Sequence, residues 1–173
     1  MVESVMHLCA MKPLSLILLT AFVSFSWWTT SAQQDNGDAI IDAYISRQAG
    51  RERGEEYREA RKVVQGDLMR DGVPETLVLY TIEGQGGGNL YVQYLAVFGQ
   101  RDGKLSPLTH AEVGGKSVRS VELESVDKNS ILLDTLRYGP EDPQCCPSMK
   151  GATKYVLMGR TLREQKQKLA TRK

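Results

Sequence analysis

Beyond residue 32 the chain has one histidine, His110, and no cysteine except the adjacent pair Cys145-Cys146. Zinc sites built from several His or Cys ligands at their usual spacings are therefore excluded. Charge of one sign is lacking too. Residues 1–32 hold one acid, Glu3, and one base, Lys12, so the remaining 141 residues carry 21 Lys+Arg against 20 Asp+Glu. A net charge of +1 makes no case for nucleic acid or an anionic membrane as partner. No Gly-x-Ser-x-Gly elbow is present, so Ser148 and His110 form no recognisable nucleophile–base pattern. The one long apolar run, residues 14–25, is shorter than the ~20 residues a spanning helix needs.

That run has a different meaning. Lys12 precedes it, Trp27-Trp28-Thr29-Thr30-Ser31-Ala32 follows it, and Thr30 and Ala32 put small residues where a signal peptidase reads. A basic start, a short apolar stretch and a small-residue exit predict a secretory signal over 1–32. Cys9 precedes the run and no cysteine lies near residue 32, so a soluble periplasmic or secreted product is expected, with no lipid anchor and no span after cleavage. Met11 stands where such a signal would ordinarily begin.

The remaining length suits one domain, expected over 33–159. Ile41, Tyr44, Ile45 and Gln48 fall at helical spacing, with Asp38 as N-cap and Gly50 as stop. A connector of alternating charge, residues 51–59, reads as a solvated face. From residue 60 the texture becomes strands and turns. Residues 76–82 and 90–98 are apolar on both faces, which predicts central strands covered on both sides, one of them by the helix. Residues 61–64, 116–126, 130–138 and 152–158 supply the other strands, and Asp102-Gly103 supplies a tight hairpin. The expectation is an α+β domain: one N-terminal helix packed on about six mainly antiparallel strands. Residues 160–173 carry six bases against the single Glu164 and read as a frayed basic tail.

Three segments invite chemistry. Asp67, Asp71, Gly72 and Glu75 fit positions 1, 5, 6 and 9 of a calcium-wrapping loop. Met69 occupies position 3 and Val78 position 12, where oxygen ligands belong, so Asp67, Asp71 and Glu75 alone would hold calcium weakly. An Asp-Gly turn feeding a strand is the simpler account. Gly84, Gly86, Gly87, Gly88 and Asn89 make a glycine-rich loop, but one running from strand to strand. A phosphate cradle needs a helix N-terminus after it, so this loop is read as a hairpin connection and candidate binding edge.

The third segment is Asp142-Pro143-Gln144-Cys145-Cys146-Pro147-Ser148. In an oxidising compartment two cysteines suggest one disulfide. Neighbouring Cα atoms lie about 3.8 Å apart across a trans peptide, whereas ordinary disulfides want at least about 4.4 Å. A bond between them is strained and more easily reduced. The pair stiffens a turn, or responds to redox state, or offers two thiolates to a soft metal with Met149 as a further ligand.

Residues 66–72, 77–80, the glycine loop, residues 94–98 and the Cys-Cys-Pro-Ser segment with Tyr155 resemble a group of bacterial exported proteins without assigned activity. Cys-Cys-Pro-Ser is similar to that of the LppP/LprE-type lipoproteins, which implies an envelope location and a sheet with a helix. Residues 67–75 also resemble one blade of FG-GAP-type calcium propellers, although no second copy occurs in the chain. The expectation is a periplasmic or envelope-accessory module, binding or structural rather than enzymatic, with no cofactor. The alternative is a redox-responsive or soft-metal protein acting through Cys145 and Cys146.

Overall fold

The structure, a computed structural model, describes residues 29–165, with side chains from residue 36 onward. The expected signal lies outside the described residues except for its last four, which are backbone of the first helix. No helix among the described residues is long and apolar enough to cross a membrane.

Helix α1 spans Thr29–Glu52 and buries Ile41, Ile45 and Ala49, the face its spacing predicts. Its ends are not where expected. Asp38 lies inside the helix, and Gly50 does not stop it. The helix closes at Arg53 (φ 54°), where the Gly54 amide donates to Ala49 O (3.0 Å) and the Arg53 amide to Gly50 O (3.3 Å). This pair of bonds is the Schellman closure. Gly54 is required there because a Cβ would sit 2.6 Å from the Glu83 carbonyl oxygen.

Nine strands follow: β1 (Glu55–Glu56), β2 (Lys62–Gly66), β3 (Glu75–Glu83), β4 (Tyr91–Arg101), β5 (Lys104–Gly115), β6 (Arg119–Asp127), β7 (Ser130–Arg137), β8 (Met149–Met158) and β9 (Thr161–Gln165). All pair antiparallel. The order is β1-β3-β4-β5-β6-β7-β8-β9, and β2 shares the β3 edge with β1. The sheet therefore exceeds the six strands expected. β1 is two residues long, β5 is interrupted by Pro107, and β9 lies in the segment expected as a frayed tail. None of the three shows the apolar run or clean alternation that marks a strand. Residues 166–173 lie outside the described residues.

Hairpin chemistry sets the register. Asp102 (φ 52°) and Gly103 (φ 71°) are both left-handed, as the tight turn between paired Arg101 and Lys104 demands. Alternation along β3 and β4 then splits the core. Val78, Tyr80, Ile82, Tyr94, Ala96 and Phe98 face α1, where Tyr80 and Tyr94 stack at 5.4 Å and Tyr44 meets Phe98 edge-on. Leu77, Leu79, Leu95 and Val97 point the other way, onto Val121, Ile131, Leu133, Tyr155 and Leu157. The meander thus turns over on itself. β5 and β6 share one register pair, Gly115 with Arg119, and the second half of the meander packs across the first. At about 1.5–3 kcal/mol per fully buried aliphatic or aromatic side chain, these two faces are the main stabilising term.

Candidate functional site

Strand direction decides which loops meet. The end of β3, the start of β4, the end of β5, the start of β6, the end of β7 and the start of β8 all lie at one end of the sheet, through the pairs Glu83–Tyr91, Val92–Gly115, Gly115–Arg119, Arg119–Arg137 and Arg137–Met149. The turn at 116–118 therefore adjoins the glycine loop on one side, through Lys116 and Tyr91, and the base of the cysteine loop at 138–148 on the other, through the Arg119–Arg137 pair. The turn at 67–74 is at the other end of β3. The strand between it and the glycine loop takes eight steps from Glu75 to Glu83, about 27 Å at the ~3.4 Å rise of antiparallel strand.

The glycine loop is folded, not open. Gly84, Gly86 and Gly87 take φ of 72°, 65° and 80°. Their amides are used: Gly84 N donates to Leu90 O, Gly86 N to Arg53 O, Gly87 N to Gly84 O, and Gly88 N to Gln85 O. Donors turned onto carbonyls are not aimed at a ligand, so this loop is not an anion cradle. Lys116 ties it to the next turn, its amide donating to Tyr91 O (3.0 Å) and its Nζ to Asn89 O (3.3 Å). A cleft of about 630 Å³ opens alongside, lined by Arg53, Glu55, Glu83, Asn89, Leu90 and Tyr91 among others.

The cysteine loop is held from its base. The Asp142 carboxylate accepts from the Gly139 amide (2.7 Å), the Ser148 amide (2.8 Å) and the Ser148 hydroxyl (2.9 Å). The Gly139 amide first, then Ser148, holds the Asp142 carboxyl below the usual carboxylate range. Tyr138 Oη donates to Gln144 O (2.8 Å), and the Cys146 amide closes a turn on Pro143 O (3.0 Å). Cys145 and Cys146 are bonded to each other, exposed, and have Cα atoms 3.8 Å apart. Burial, and then the neighbouring Tyr138 phenol, raise the Tyr91 hydroxyl above the ordinary tyrosine value.

Around this end several apolar side chains are open to solvent: Val118 is 66% exposed, Leu90 52% and Met149 47%. Leu90 and Val118 were not candidates from sequence, because the only trace each leaves is an apolar residue beside a turn, and Met149 was one only as a further soft-metal ligand. Tyr91, Lys116 and Tyr138 were missed for the same reason.

The expected calcium ligands are occupied as acceptors. Asp67 takes the Asp71 and Gly72 amides (both 3.1 Å), Asp71 takes the Val73 amide (2.9 Å), and buried Glu75 takes the Leu68 amide (2.8 Å) and the Met69 amide (3.2 Å). Among the described residues no three His, Cys, Asp or Glu side chains gather closely enough to hold a metal ion. His110 hydrogen-bonds through Nδ1 to the Tyr44 hydroxyl (2.9 Å) and lies edge-on to Tyr94, midway along β5. It is not brought to the cysteine loop. No family model, curated protein or solved structure matches the chain.

Proposed function

We propose that the chain is a periplasmic or envelope-accessory module that binds a partner without catalysis, through the sheet end where the glycine loop, the 116–118 turn and the cysteine loop converge. The observation that carries this reading is the convergence itself. Three loops with no sequence link leave the same end of the sheet, the 116–118 turn tied to the glycine loop by Lys116 and set beside the cysteine loop by the Arg119–Arg137 pair, and they leave Leu90, Val118 and Met149 in solvent. Singly exposed apolar residues need no explanation, but several on one rim fit a contact surface. The signal-like residues 1–32 and the Cys-Cys-Pro-Ser resemblance support the compartment.

A photo-crosslinking side chain at Val118, compared with one at Val63, tests the proposal in intact cells. Val63 is also exposed but lies on β2, away from the rim. A discrete adduct at Val118 that is absent at Val63, and is lost in Leu90→Asp without a change in thermal midpoint, is expected. The same adducts from both positions, or none from Val118, would overturn the assignment.

A further inference from the structure

The loop that carries the disulfide has no need of it to keep its course. Its two ends, Gly139 and Ser148, are gathered by one carboxylate, Asp142, and its middle is pinned by Tyr138 Oη on Gln144 O. Pro143 and Pro147 flank the cysteines and restrict φ on either side. Stiffening is therefore already supplied, and the bond between Cys145 and Cys146 is left at an exposed apex. Adjacent Cα atoms at 3.8 Å lie below the ordinary disulfide range of about 4.4 Å upward, which marks the pair as the reducible kind. Both cysteines are exposed, on the loop that joins β7 to β8 at the end of the sheet where the 116–118 turn lies.

We propose that Cys145–Cys146 is a thiol-exchangeable disulfide that regulates the rim, a deepening that rests on the binding function given above. The reacting partner is a dithiol. One of its thiolates attacks a sulfur of the pair, the Sγ–Sγ bond breaks, and a mixed disulfide forms with the other cysteine released as a thiol. The second thiolate of the dithiol then displaces the remaining cysteine. Two electrons and two protons pass to the protein, which becomes a dithiol, and the partner leaves as a disulfide. Reduction changes the apex from a closed, apolar two-sulfur bridge into two separate thiols while Asp142 keeps the base of the loop in place.

The test uses the purified chain in dithiothreitol buffers, with alkylation at Cys145 and Cys146 located by peptide mass and hydrogen exchange read on the same samples. Both cysteines should alkylate after mild reduction. The thermal midpoint and the protection of the Gly139 and Ser148 amides should be unchanged. A pair that resists dithiothreitol until the protein unfolds, or reduction that strips protection from Gly139 and Ser148, overturns the proposal. Asp142→Ala supplies the reciprocal arm. With the disulfide intact it should raise exchange at both amides at least tenfold, and undiminished protection would mean that the disulfide, not Asp142, holds the loop. The Val118 adduct is then compared in oxidised and reduced protein. A several-fold difference in yield supports regulation, and equal yields sink it. No adduct in either state removes the binding function and the regulation with it, while the alkylation result still stands for the exchange chemistry.

Discussion

Gln93 reaches across Gly114 and pairs its side-chain amide with the backbone of Val121: Nε2 donates to Val121 O (3.1 Å), and the Val121 amide donates to Oε1 (2.9 Å). This substitutes for a ladder rung. β5 and β6 diverge beyond the Gly115–Arg119 pair, and a side chain from β4 satisfies the backbone groups of a buried β6 residue. Gly114 makes the passage possible, because a Cβ there would lie 2.7 Å from Gln93 Oε1 and 2.8 Å from Arg119 O. Gly114→Ala is expected to destabilise the fold by about 2–3 kcal/mol, as overpacking at a closed site does. Gln93→Leu should cost about 1–3 kcal/mol by leaving both Val121 groups unpaired. Urea unfolding checks both. A midpoint unmoved by either substitution would mean the two halves of the meander are joined some other way.

A second lock acts across the same corner. Arg119 donates from Nη1 and Nη2 to the two Glu164 oxygens (2.8 and 2.9 Å) and from Nε to Val113 O (2.6 Å), so one guanidinium links β5, β6 and β9. Thr153 and Tyr155 complete the carboxylate's partners (2.6 and 3.1 Å). The Arg119 guanidinium chiefly brings the Glu164 carboxyl down to about 2 from an ordinary 4.5. A carboxyl depressed in the folded state stabilises it above its unfolded value, and that contribution is lost as pH falls from about 4.5 through about 2. The Glu164 side chain is 40% exposed, so solvent screening reduces the contribution to about 1–2 kcal/mol. Glu164→Gln should lower stability at pH 7 by that amount and flatten the acid limb. Thermal melts from pH 7 to pH 2 measure it, and parallel curves for the two proteins would rule the pair out as the source.

The central strands were readable because β3 and β4 carry apolar residues on both faces, which only a doubly covered strand tolerates. The helix face was readable from Ile41, Tyr44 and Ile45. The helix end was not, since Gly50 is an ordinary stop signal and what halts the chain is the close approach of Gly54 to the Glu83 carbonyl, a contact between distant segments. β9 was hidden for a similar reason. Glu164 is the only acid in a basic stretch, and its role depends on Arg119, 45 residues earlier. That the glycine loop and the cysteine loop leave the same end of the sheet follows from strand order, which periodicity does not encode.

The charged connector after α1, residues 51–59, was read from sequence as a solvated face, yet it supplies Glu56 to an anchored ion cluster. Arg61, with its side chain only 10% exposed, donates to Glu56 (2.6 Å from Nε) and to Asp42 on α1 (2.5 Å from Nη1). The Arg61 hydrogen bond chiefly depresses the Asp42 carboxyl below its ordinary value. Arg61→Met leaves Glu56, its side chain 15% exposed, without a cation and should destabilise by about 2–3 kcal/mol, less than a fully buried pair because Asp42 is partly exposed. Calorimetry of Arg61→Met beside Arg58→Met decides the point. Arg58 is exposed and also reaches Asp42 (3.2 Å), and its loss should cost under about 1 kcal/mol. Equal losses would place the stabilisation in general charge balance, not in Arg61.

The turn at 67–74 makes an opposite case, in which a metal-like arrangement of carboxylates is satisfied by its own backbone. Glu75 is 2% exposed and accepts the Leu68 and Met69 amides, and Leu68 beside it is as buried. Asp67 spends both oxygens on the Asp71 and Gly72 amides. A cation entering here would have to compete with these hydrogen bonds, and Met69 and Val78 offer it no oxygen in return. Millimolar calcium is therefore expected to leave the thermal midpoint unchanged. Glu75→Ala should destabilise by about 2–3 kcal/mol, through the buried amides it strands, equally with calcium and with a chelator. Differential scanning calorimetry in both buffers separates the alternatives. A midpoint that rises with calcium, by an increment that Glu75→Ala abolishes, would establish the turn as a calcium site after all.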